Sequence, residues 1–324
     1  MYCNGALSCP NEIIVGVPQG SVLGLILFLL FINDITQSLN SNCTCNIFAD
    51  DVVIYTTGNN IQDINESLQA NIDSISAWYE CNRLLINPDK TKVMLLKSCR
   101  SKSVDRLNVT IKDTRLDQVN RVRYLGVEVD ENLTWDCHVR NVCRSVAYKL
   151  HSLSRLRLTL NTRLLNTLYK TTIQPCIDYA SSTWGNCSVT SRQALFRLHK
   201  RAARIVAKNF DYTHFHGEDI IKDLRWQTLE QRRDFYLACL MYKCIHGLAP
   251  ARLCNIIEMY FDRHGFNTRN ANSLNVVIPK PNMECFKQSF TYAGALHWNQ
   301  IPSAIQNAPS FDHFKNKYKE LYFI

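Results

Sequence analysis

The sequence predicts an α+β fold in which an early part with small antiparallel sheets precedes a helical second half. Two short apolar runs rich in β-branched and aromatic residues flank Asp50 and Asp51, which is the pattern of a β-hairpin. Over residues 61–78 and 139–153, apolar residues recur instead at steps of three and four, which predicts amphipathic helices. The chain of 324 residues, 46% of them hydrophobic, is long enough for two domains with their own cores.

Charge is distributed unevenly along the chain. Residues 1–98 carry 4 basic and 9 acidic side chains, whereas residues 99–324 carry 33 basic and 19 acidic side chains. Between residues 138 and 208 there are 13 lysines and arginines and one acid, Asp178. A charge run is often only a solvated face, but such a face usually mixes both signs. The near absence of acids therefore predicts contact with the phosphates of a nucleic acid.

The cysteine pattern and the apolar segments indicate an intracellular protein. The 14 cysteines are scattered without a C-x-x-C pair, which predicts free thiols in a reducing compartment, and His214 and His216 form an isolated H-x-H. No signal-peptide pattern opens the chain, and the apolar run at 23–32 is too short to span a bilayer. We expect a cytoplasmic and nuclear protein with no membrane partner, and no oligomeric state follows from the sequence.

A glycine-rich loop and a hairpin dominate the first 60 residues. Residues 13–15 predict a strand that leads into the loop at 16–20, and Ser21 can cap the helix that follows. That helix is apolar nearly all round from residue 23 to 35, so we expect it to be buried. Asp50 and Asp51 follow at the hairpin turn, where adjacent carboxylates repel each other unless a divalent cation offsets their charge. The alternative is an ordinary solvated turn.

The middle of the chain predicts short strands below a helix. Residues 84–86 and 92–96 have strand character on either side of a Pro-Asp turn, which predicts a hairpin under the helix at 61–78. Residues 99–120 alternate weakly and predict a peripheral hairpin. Residues 122–130 alternate around Gly126, which is compatible with a bulge or with close approach of a ligand to the backbone.

The second half predicts helices throughout. One stripe runs from Val139 to Leu153, and further helices are expected at 162–173 and at 191–208, the latter capped by Ser191. An amphipathic helix should end near Gly247. A closing helix places four apolar residues on one face, namely Phe311, Phe314, Tyr318 and Leu321.

These motifs resemble the reverse transcriptases of non-LTR retrotransposons, of the LINE type and similar to jockey. The stretch GVPQGSVLG at 16–24, followed by FLLFIND at 28–34, is similar to motif B, and FADD at 48–51 is similar to motif C. The turn around Lys90 resembles motif D, and YLGV at 124–127 resembles the primer grip. Two later stretches, YKCIHGLAP at 242–250 and GALHWNQIP at 294–302, are similar to segments found downstream of the thumb in this group.

The resemblance implies a partial polymerase palm over 1–134, a basic helical thumb over 135–210 and an α-rich extension over 211–324. The implied reaction is synthesis of DNA from dNTPs on an RNA template and a DNA primer, with two Mg²⁺ ions. Asp50 is expected to ligate the metals, with Asp51 as an accessory acid and metal ligand. Lys90 is expected near the incoming nucleotide, with Lys92 as its rival.

Three further sets of residues follow from the resemblance. The nucleotide and template side is expected to be lined by Gln19, Gly20, Ser21, Phe48 and Ala49. The primer grip is expected at Tyr124, Leu125 and Gly126. The thumb is expected to hold the template–primer duplex through Arg140, Arg144, Lys149, Arg155, Arg157, Arg197, Lys200, Arg201 and Arg204.

The sequence also departs from the family pattern. The family takes another essential aspartate from motif A, ahead of motif B, and no aspartate precedes Asp34 here. Leu25 stands where the family usually has proline. We therefore expect a family member truncated at its N terminus that does not polymerise DNA by itself. The alternatives are a non-catalytic nucleic-acid-binding remnant and an inert fragment that does not fold stably.

Overall fold

The computed structural model describes residues 2–3, 6–7, 21–40, 42–97, 106–260, 274–281 and 284–323. These residues form a mixed α and β fold that is mostly helical, with small two-stranded sheets, which confirms the predicted α+β class at that level. The chain divides into two compact units, residues 1–122 and residues 123–324. The predicted strand at 13–15 and the glycine-rich loop at 16–20 lie outside the described residues.

Unit 1 combines two helices with short strands. Its elements are β1 (Tyr2–Cys3), β2 (Ala6–Leu7), α1 (Val22–Ile32), a 3₁₀ turn (Asn33–Ser38), β3 (Cys43–Phe48), β4 (Asp51–Thr56), α2 (Ile61–Cys81), β5 (Lys92–Val93), β6 (Thr110–Ile111), β7 (Thr114–Arg115) and β8 (Asp117–Gln118). The predicted stripe of α2 is confirmed, because Leu68, Ile72 and Ile75 are buried. Two of these side chains join a core with residues of the later strands, including Val93 of β5 and Ile111 of β6.

Helix α1 is capped as predicted but is not buried. The hydroxyl of Ser21 accepts a hydrogen bond from the backbone N–H of Gly24 at 3.0 Å. Seven of its large apolar side chains are between 44% and 69% exposed, namely Leu23, Leu25, Ile26, Leu27, Leu29, Leu30 and Phe31. The prediction of burial is therefore wrong. A helix that is apolar all round needs neighbours on every side, and the described residues leave most of its large side chains exposed, although Phe31 packs against Trp78.

The predicted hairpin around the Pro-Asp turn is also wrong. Strand β5 pairs in parallel with β8, and residues 84–87 form no strand. The amide oxygen of Asn87 accepts the backbone N–H groups of Asp89 and Lys90, so this segment satisfies its donors locally instead of in a ladder. The peripheral hairpin expected within 99–120 is present as β6 and β7.

The segment around Gly126 is a hairpin of two strands, β9 (Arg121–Tyr124) and β10 (Val127–Asp130). Leu125 and Gly126 have φ angles of 45° and 81°, so both residues of the tight turn are left-handed, which favours glycine. The hydroxyl of Tyr179 donates a hydrogen bond to the Leu125 carbonyl at 2.7 Å. A Cβ at position 126 would lie 3.3 Å from the Tyr179 ring. The close neighbour of this glycine is thus a side chain of the protein itself.

The rest of unit 2 is helical. Its elements are α3 (Asp136–Leu156), α4 (Thr162–Leu168), a π-helical turn (Tyr169–Ile173), α5 (Gln174–Asp178), α6 (Ser181–Trp184), α7 (Val189–Ala207), α8 (Gly217–Asp223), α9 (Leu229–Ile245), α10 (Ala251–Cys254), α11 (Glu284–Lys287), α12 (Phe290–Trp298), α13 (Ser303–Gln306) and α14 (Phe311–Tyr322). The predicted helix at 162–173 is therefore α4 with a π-helical continuation.

The predicted cap of α7 is wrong by three residues. The hydroxyl of Ser188 accepts the backbone N–H of Ser191 at 3.3 Å, so Ser188 is the cap. The hydroxyl of Ser191 instead donates to the carboxylate of Asp136 at 2.7 Å. Each serine thereby has a partner, and the helix begins at Val189, two residues earlier than predicted.

Unit 2 contains two large hydrophobic clusters. The first joins α3, α4, α7 and α8, with Leu150, Leu165 and Val206 among its fully buried residues. The second joins α9, α12 and α14 around Trp298 and Phe314. The predicted stripe of α3 is confirmed. The closing helix buries Phe314 and Tyr318, whereas Leu321 of the same predicted apolar face is 46% exposed.

Candidate active site and nucleic-acid interface

Two acidic residues lie at the tip of the β3–β4 hairpin. Ala49 and Asp50 form the turn, with Ala49 at a φ of 52°, and Asp51 begins β4 opposite Phe48. Both aspartates are exposed. Neither carboxylate has a hydrogen bond or an ion pair within the part of the chain that the structure describes. The tip therefore presents two negative charges to solvent without a protein counterion.

Tyr79 of α2 lies within the electrostatic reach of this tip. Burial raises the pKa of its phenol above the ordinary value, and interactions with Cys45 and Asp50 add to that shift. Tyr79 also packs edge-on against Trp78, with ring centroids 5.4 Å apart. Helix α2 thus places an uncharged aromatic side chain near the acidic hairpin tip.

The donor set at the tip fits a magnesium ion that takes its other ligands from elsewhere. Mg²⁺ is usually held by one or two carboxylates together with waters and substrate phosphates. Asp50 and Asp51 are two such carboxylates with free oxygens. Across the described ranges, no group of three His, Cys, Asp or Glu side chains is placed to hold a metal. Any further protein ligand would have to come from residues other than these.

The two candidate lysines differ in their surroundings. Lys92 forms an ion pair with Asp117 at 2.7 Å, and this hydrogen bond lowers the pKa of the Asp117 carboxyl. Lys90 is exposed on the turn, and its ammonium has no ion pair among the residues that the structure describes. Lys90 can therefore approach a phosphate without first breaking an ion pair.

The remaining described palm residues lie at the start of α1, beside the acidic tip and in the β9–β10 hairpin. Gln19 and Gly20 fall outside the described residues, and the Ser21 hydroxyl is engaged as the cap of α1. Phe48 is 62% exposed beside the acidic tip. The primer-grip residues Tyr124, Leu125 and Gly126 form the turn region of the β9–β10 hairpin, which Tyr179 supports from within unit 2.

Five of the predicted thumb arginines are exposed and have no recorded partner within the described segments, namely Arg140, Arg144, Arg155, Arg197 and Arg201. Arg140 and Arg144 are four residues apart on α3, and Arg197 and Arg201 are four apart on α7. Residues at this spacing lie on one helix face, so each helix carries a pair of neighbouring cations. Such exposed pairs are suited to contact phosphates.

Four other predicted thumb residues already have partners. Lys149 donates to the Thr172 carbonyl at 2.9 Å, and Lys200 lies 3.8 Å from the Glu218 carboxylate. The guanidinium of Arg157 lies over a phenylalanine ring. Arg204 is only 8% exposed, and its guanidinium donates to two backbone carbonyls of the following loop. These four side chains make contacts within the helical bundle. Their charges are therefore less accessible to a phosphate than those of the exposed arginines.

The sequence prediction missed a set of exposed aromatic residues beside these cations. Tyr148 of α3 is 76% exposed. Phe210, Tyr212 and Phe215, in the loop after α7, are 40%, 69% and 44% exposed. The signal was present in the sequence, because NFDYTHF at 209–215 places aromatic residues directly after a basic helix. Basic segments interleaved with aromatic residues are typical of proteins that bind single-stranded nucleic acid.

The thiols and the helices are consistent with the sequence pattern. The ten cysteines whose thiols are described are all free. No helix within the described ranges is both long enough and apolar enough to cross a membrane.

A family model indicates the class of protein to which this chain is similar. Residues 2–129 match the family model described as "Reverse transcriptase (RNA-dependent DNA polymerase)". This match includes the acidic hairpin and the turn of Lys90, and it ends within β10. No solved structure gives a significant match.

Several curated relatives are proteins of transposable elements. The chain is 25% identical over 234 residues to "Probable RNA-directed DNA polymerase from transposon BS" of Drosophila melanogaster, which covers 69% of this chain and 26% of the relative. It is 27% identical to "RNA-directed DNA polymerase from mobile element jockey" of the same species, over 56% of this chain and 20% of the relative. It is 31% identical to "Retrovirus-related Pol polyprotein from type-1 retrotransposable element R1 2" of Nasonia vitripennis, over 52% of this chain and 43% of the relative.

The chain is a distant homologue of the reverse transcriptases of non-LTR retrotransposons, as its motifs predict. It spans about a quarter of the length of the BS protein and a fifth of the length of the jockey protein that it matches.

Proposed function

We propose that this chain is a palm and thumb part of an RNA-directed DNA polymerase of a non-LTR retrotransposon. The palm is assigned to residues 1–134, the thumb to 135–210 and an α-rich extension to 211–324. The observation that carries the proposal is the hairpin within the matched region, whose tip presents Asp50 and Asp51 to solvent without protein partners. The partners are an RNA template, a DNA primer and dNTPs.

In this proposal the hairpin tip binds metal and substrate. Bound Mg²⁺ would lower the pKa of the primer 3′-hydroxyl and offset the charge of the triphosphate. Asp50, in the turn, is the direct ligand. Asp51 begins β4, where successive side chains point to opposite faces, and it acts as the accessory acid. Phe48 and Ala49 border the nucleotide beside them, and Gln19, Gly20 and Ser21 line the template side.

Lys90 is proposed to contact the phosphates of the incoming nucleotide. Its exposed ammonium has no ion pair among the described residues, whereas that of Lys92 is held by Asp117 at 2.7 Å. The Asn87 side chain holds the turn by accepting two backbone N–H groups, which fixes the position of Lys90 on the turn. We therefore assign the role to Lys90 and a supporting role to Lys92.

The same hairpin does not complete a two-metal site by itself. Two carboxylates from one tip leave most coordination positions open, and no third candidate ligand joins them in the described ranges. We propose that a further carboxylate must be supplied from another segment before the chemistry can proceed. On this basis the chain binds nucleic acid but does not extend a primer by itself.

A second function is favoured by the exposed arginines. Arg140, Arg144, Arg197 and Arg201 form two cation pairs on α3 and α7, and none of them needs the acidic hairpin in order to bind phosphate. A non-catalytic protein that uses this basic bundle to bind nucleic acid is therefore the alternative. The two functions differ in whether the hairpin tip also binds metal.

Metal binding and primer extension separate these functions. Mn²⁺ binding can be followed by electron paramagnetic resonance with a template–primer and a dNTP present, for the wild type and the Asp50→Asn variant. The polymerase proposal predicts weaker Mn²⁺ binding in this variant and unchanged binding in Asp113→Asn, which alters an exposed aspartate in the β6–β7 turn. Equal binding in all three proteins favours the non-catalytic alternative.

Primer extension on an RNA template with Mg²⁺ tests the incomplete site. We expect no extension by the wild type or by Asp50→Asn, with equal binding of the template–primer by both. Extension by the wild type that is lost in the variant would show that the site forms without a further carboxylate.

A further inference from the structure

The loop between α7 and α8 displays aromatic rings on a basic bundle. We call residues 209–216 the aromatic loop. Phe210, Tyr212 and Phe215 are 40%, 69% and 44% exposed. Large aromatic side chains are normally well buried, and three exposed rings on one short loop indicate a binding surface.

The aromatic loop is held in place by hydrogen bonds. The buried guanidinium of Arg204 donates to the carbonyl of Asp211 at 3.1 Å and to the carbonyl of Phe215 at 2.7 Å. The carboxylate of Asp211 accepts the backbone N–H groups of Thr213 and His214. The rings are thus positioned before a ligand arrives, which lowers the entropy lost on binding.

Two of the rings already carry a cation on one face. The guanidinium of Arg157 lies 4.3 Å from the ring centroid of Phe210, and that of Arg204 lies 4.2 Å from the ring centroid of Tyr212. Because Tyr212 is still 69% exposed, its second face is open to solvent. A ring with a cation behind it and an open face in front is suited to stack with a nucleobase.

The charge around the aromatic loop suits a phosphate backbone. Arg201 is exposed on the last turns of α7, and Lys208 is the exposed C-cap of that helix. The carboxylate of the loop, Asp211, is engaged by its hydrogen bonds and by the imidazole of His214 at 2.8 Å. A strand that stacks on the rings would therefore have cations beside its phosphates.

We infer that the aromatic loop binds an unpaired stretch of nucleic acid, with bases stacked on Tyr212 and Phe210 and phosphates near Arg201 and Lys208. The inference rests on the proposed function for the class of partner. It differs from the duplex contact assigned to the thumb arginines, because stacking requires bases whose faces are free. The unpaired stretch can be the RNA template ahead of the primer or a single strand of DNA.

The test compares two substitutions of one exposed tyrosine. Tyr212→Leu keeps apolar bulk but removes the aromatic face, whereas Tyr212→Phe keeps the face and removes the hydroxyl. Binding of labelled unstructured RNA and DNA oligonucleotides, and of a blunt RNA–DNA duplex, is measured by fluorescence anisotropy. We expect Tyr212→Leu to weaken single-strand binding about tenfold, and Tyr212→Phe to bind like the wild type.

Salt dependence separates stacking from charge. Tyr212→Leu should leave the slope of log K against log salt unchanged, because no phosphate contact is lost. Lys208→Gln should make the slope for a single strand less steep by about 0.7. Thermal melting shows whether each variant remains folded.

The binding measurements have several outcomes that would contradict the inference. Single-strand binding by Tyr212→Leu that equals the wild type would overturn it, as would an equal loss for single strands and duplex. Duplex binding without single-strand binding by the wild type would overturn the inference and leave the proposed function standing. Binding of neither substrate would contradict both. A preference for the RNA over the DNA oligonucleotide would indicate that the aromatic loop binds the template, and the reverse preference would indicate that it binds a DNA strand.

Discussion

Acidification should destabilise the helical unit through one buried imidazole. His199 of α7 is 2% exposed, and its Nδ1 shares a 2.8 Å hydrogen bond with the hydroxyl of Tyr169. Its ring lies 5.4 Å from that of Trp226. Burial lowers the pKa of His199 to about 4, and the positive charge of Arg232 adds to that shift. The native state therefore keeps this imidazole neutral well below the pH at which the unfolded chain protonates it.

The size of the effect follows from the two pKa values of His199. An unfolded histidine has a pKa of 6.5, so the unfolded state takes up a proton between pH 6.5 and 4 while the native state does not. The stability is thus fully present above pH 6.5 and is lost as the pH falls toward 4. At pH 5 the loss is about 2 kcal/mol, and its limit well below pH 4 is about 3 kcal/mol.

Urea unfolding at pH 7 and pH 5 measures this loss. Other groups also titrate, since burial lowers the pKa of His138 as well, but they contribute equally to the wild type and to His199→Gln. The wild type should lose about 2 kcal/mol more than His199→Gln between the two pH values. His151→Gln, which alters an exposed histidine of α3, should behave like the wild type. An equal loss in the wild type and His199→Gln would refute the reasoning.

Four further substitutions test the packing. Gly126→Ala should reduce the free energy of unfolding by about 1–2 kcal/mol, and by more than Gly247→Ala, because both glycines have positive φ but only Gly126 has a ring 3.3 Å from the added Cβ. Arg232→Met should reduce it by about 3–5 kcal/mol, since it leaves the half-buried Asp178 carboxylate without its cation. Leu30→Glu on the exposed face of α1 should change it by less than about 0.5 kcal/mol.

The same urea titrations contain the contradicting outcomes. Equal losses of unfolding free energy for the two glycine variants would show that the Tyr179 ring moves away from an added Cβ at no cost. A small loss for Arg232→Met would mean that Asp178 is solvated by other means. A loss of several kcal/mol for Leu30→Glu would show that α1 is covered in solution.

The elements that could be predicted from the sequence are those whose local residue pattern agrees with their packing. The stripe of α2 and that of α3 were readable because helical spacing and burial agree at Leu68, Ile72 and Leu150. The acidic hairpin was readable because strand-forming residues flank Asp50 symmetrically. In these cases local propensity and long-range packing favour the same structure.

The failures all involve partners that local patterns do not reveal. The burial of α1 depends on neighbours, and an apolar run gives no information about whether neighbours are present. The strand β5 pairs with β8, which is 25 residues away, instead of with the segment before the Pro-Asp turn. Ser188 and Ser191 are both good caps, and both hydroxyls donate to the carboxylate of Asp136 on a different helix, so the local sequence does not decide between them. Such choices are made by tertiary contacts.

In the candidate site, too, some features could be predicted from the local sequence and others depend on tertiary contacts. The acidic tip and Lys90 could be located from sequence, but the ion pair that occupies Lys92 joins two distant strands. The burial of Arg204 was not predictable either, since its carbonyl partners belong to the aromatic loop. Charge counting identified a basic segment, and the structure divides that segment into exposed arginines and arginines that hold the fold together.

The most direct test of the account is the salt dependence of template–primer binding. An RNA template annealed to a DNA primer is titrated by fluorescence anisotropy at several KCl concentrations, with the wild type and the double variant Arg140→Gln/Arg144→Gln. We predict that the slope of log K against log salt becomes less steep by about two in this variant. The matched control is Lys317→Gln/Lys319→Gln, which removes the same charge from α14 and should keep the wild-type slope. An unchanged slope in the arginine variant, or an equal change in both variants, would contradict the claim that α3 binds the nucleic acid.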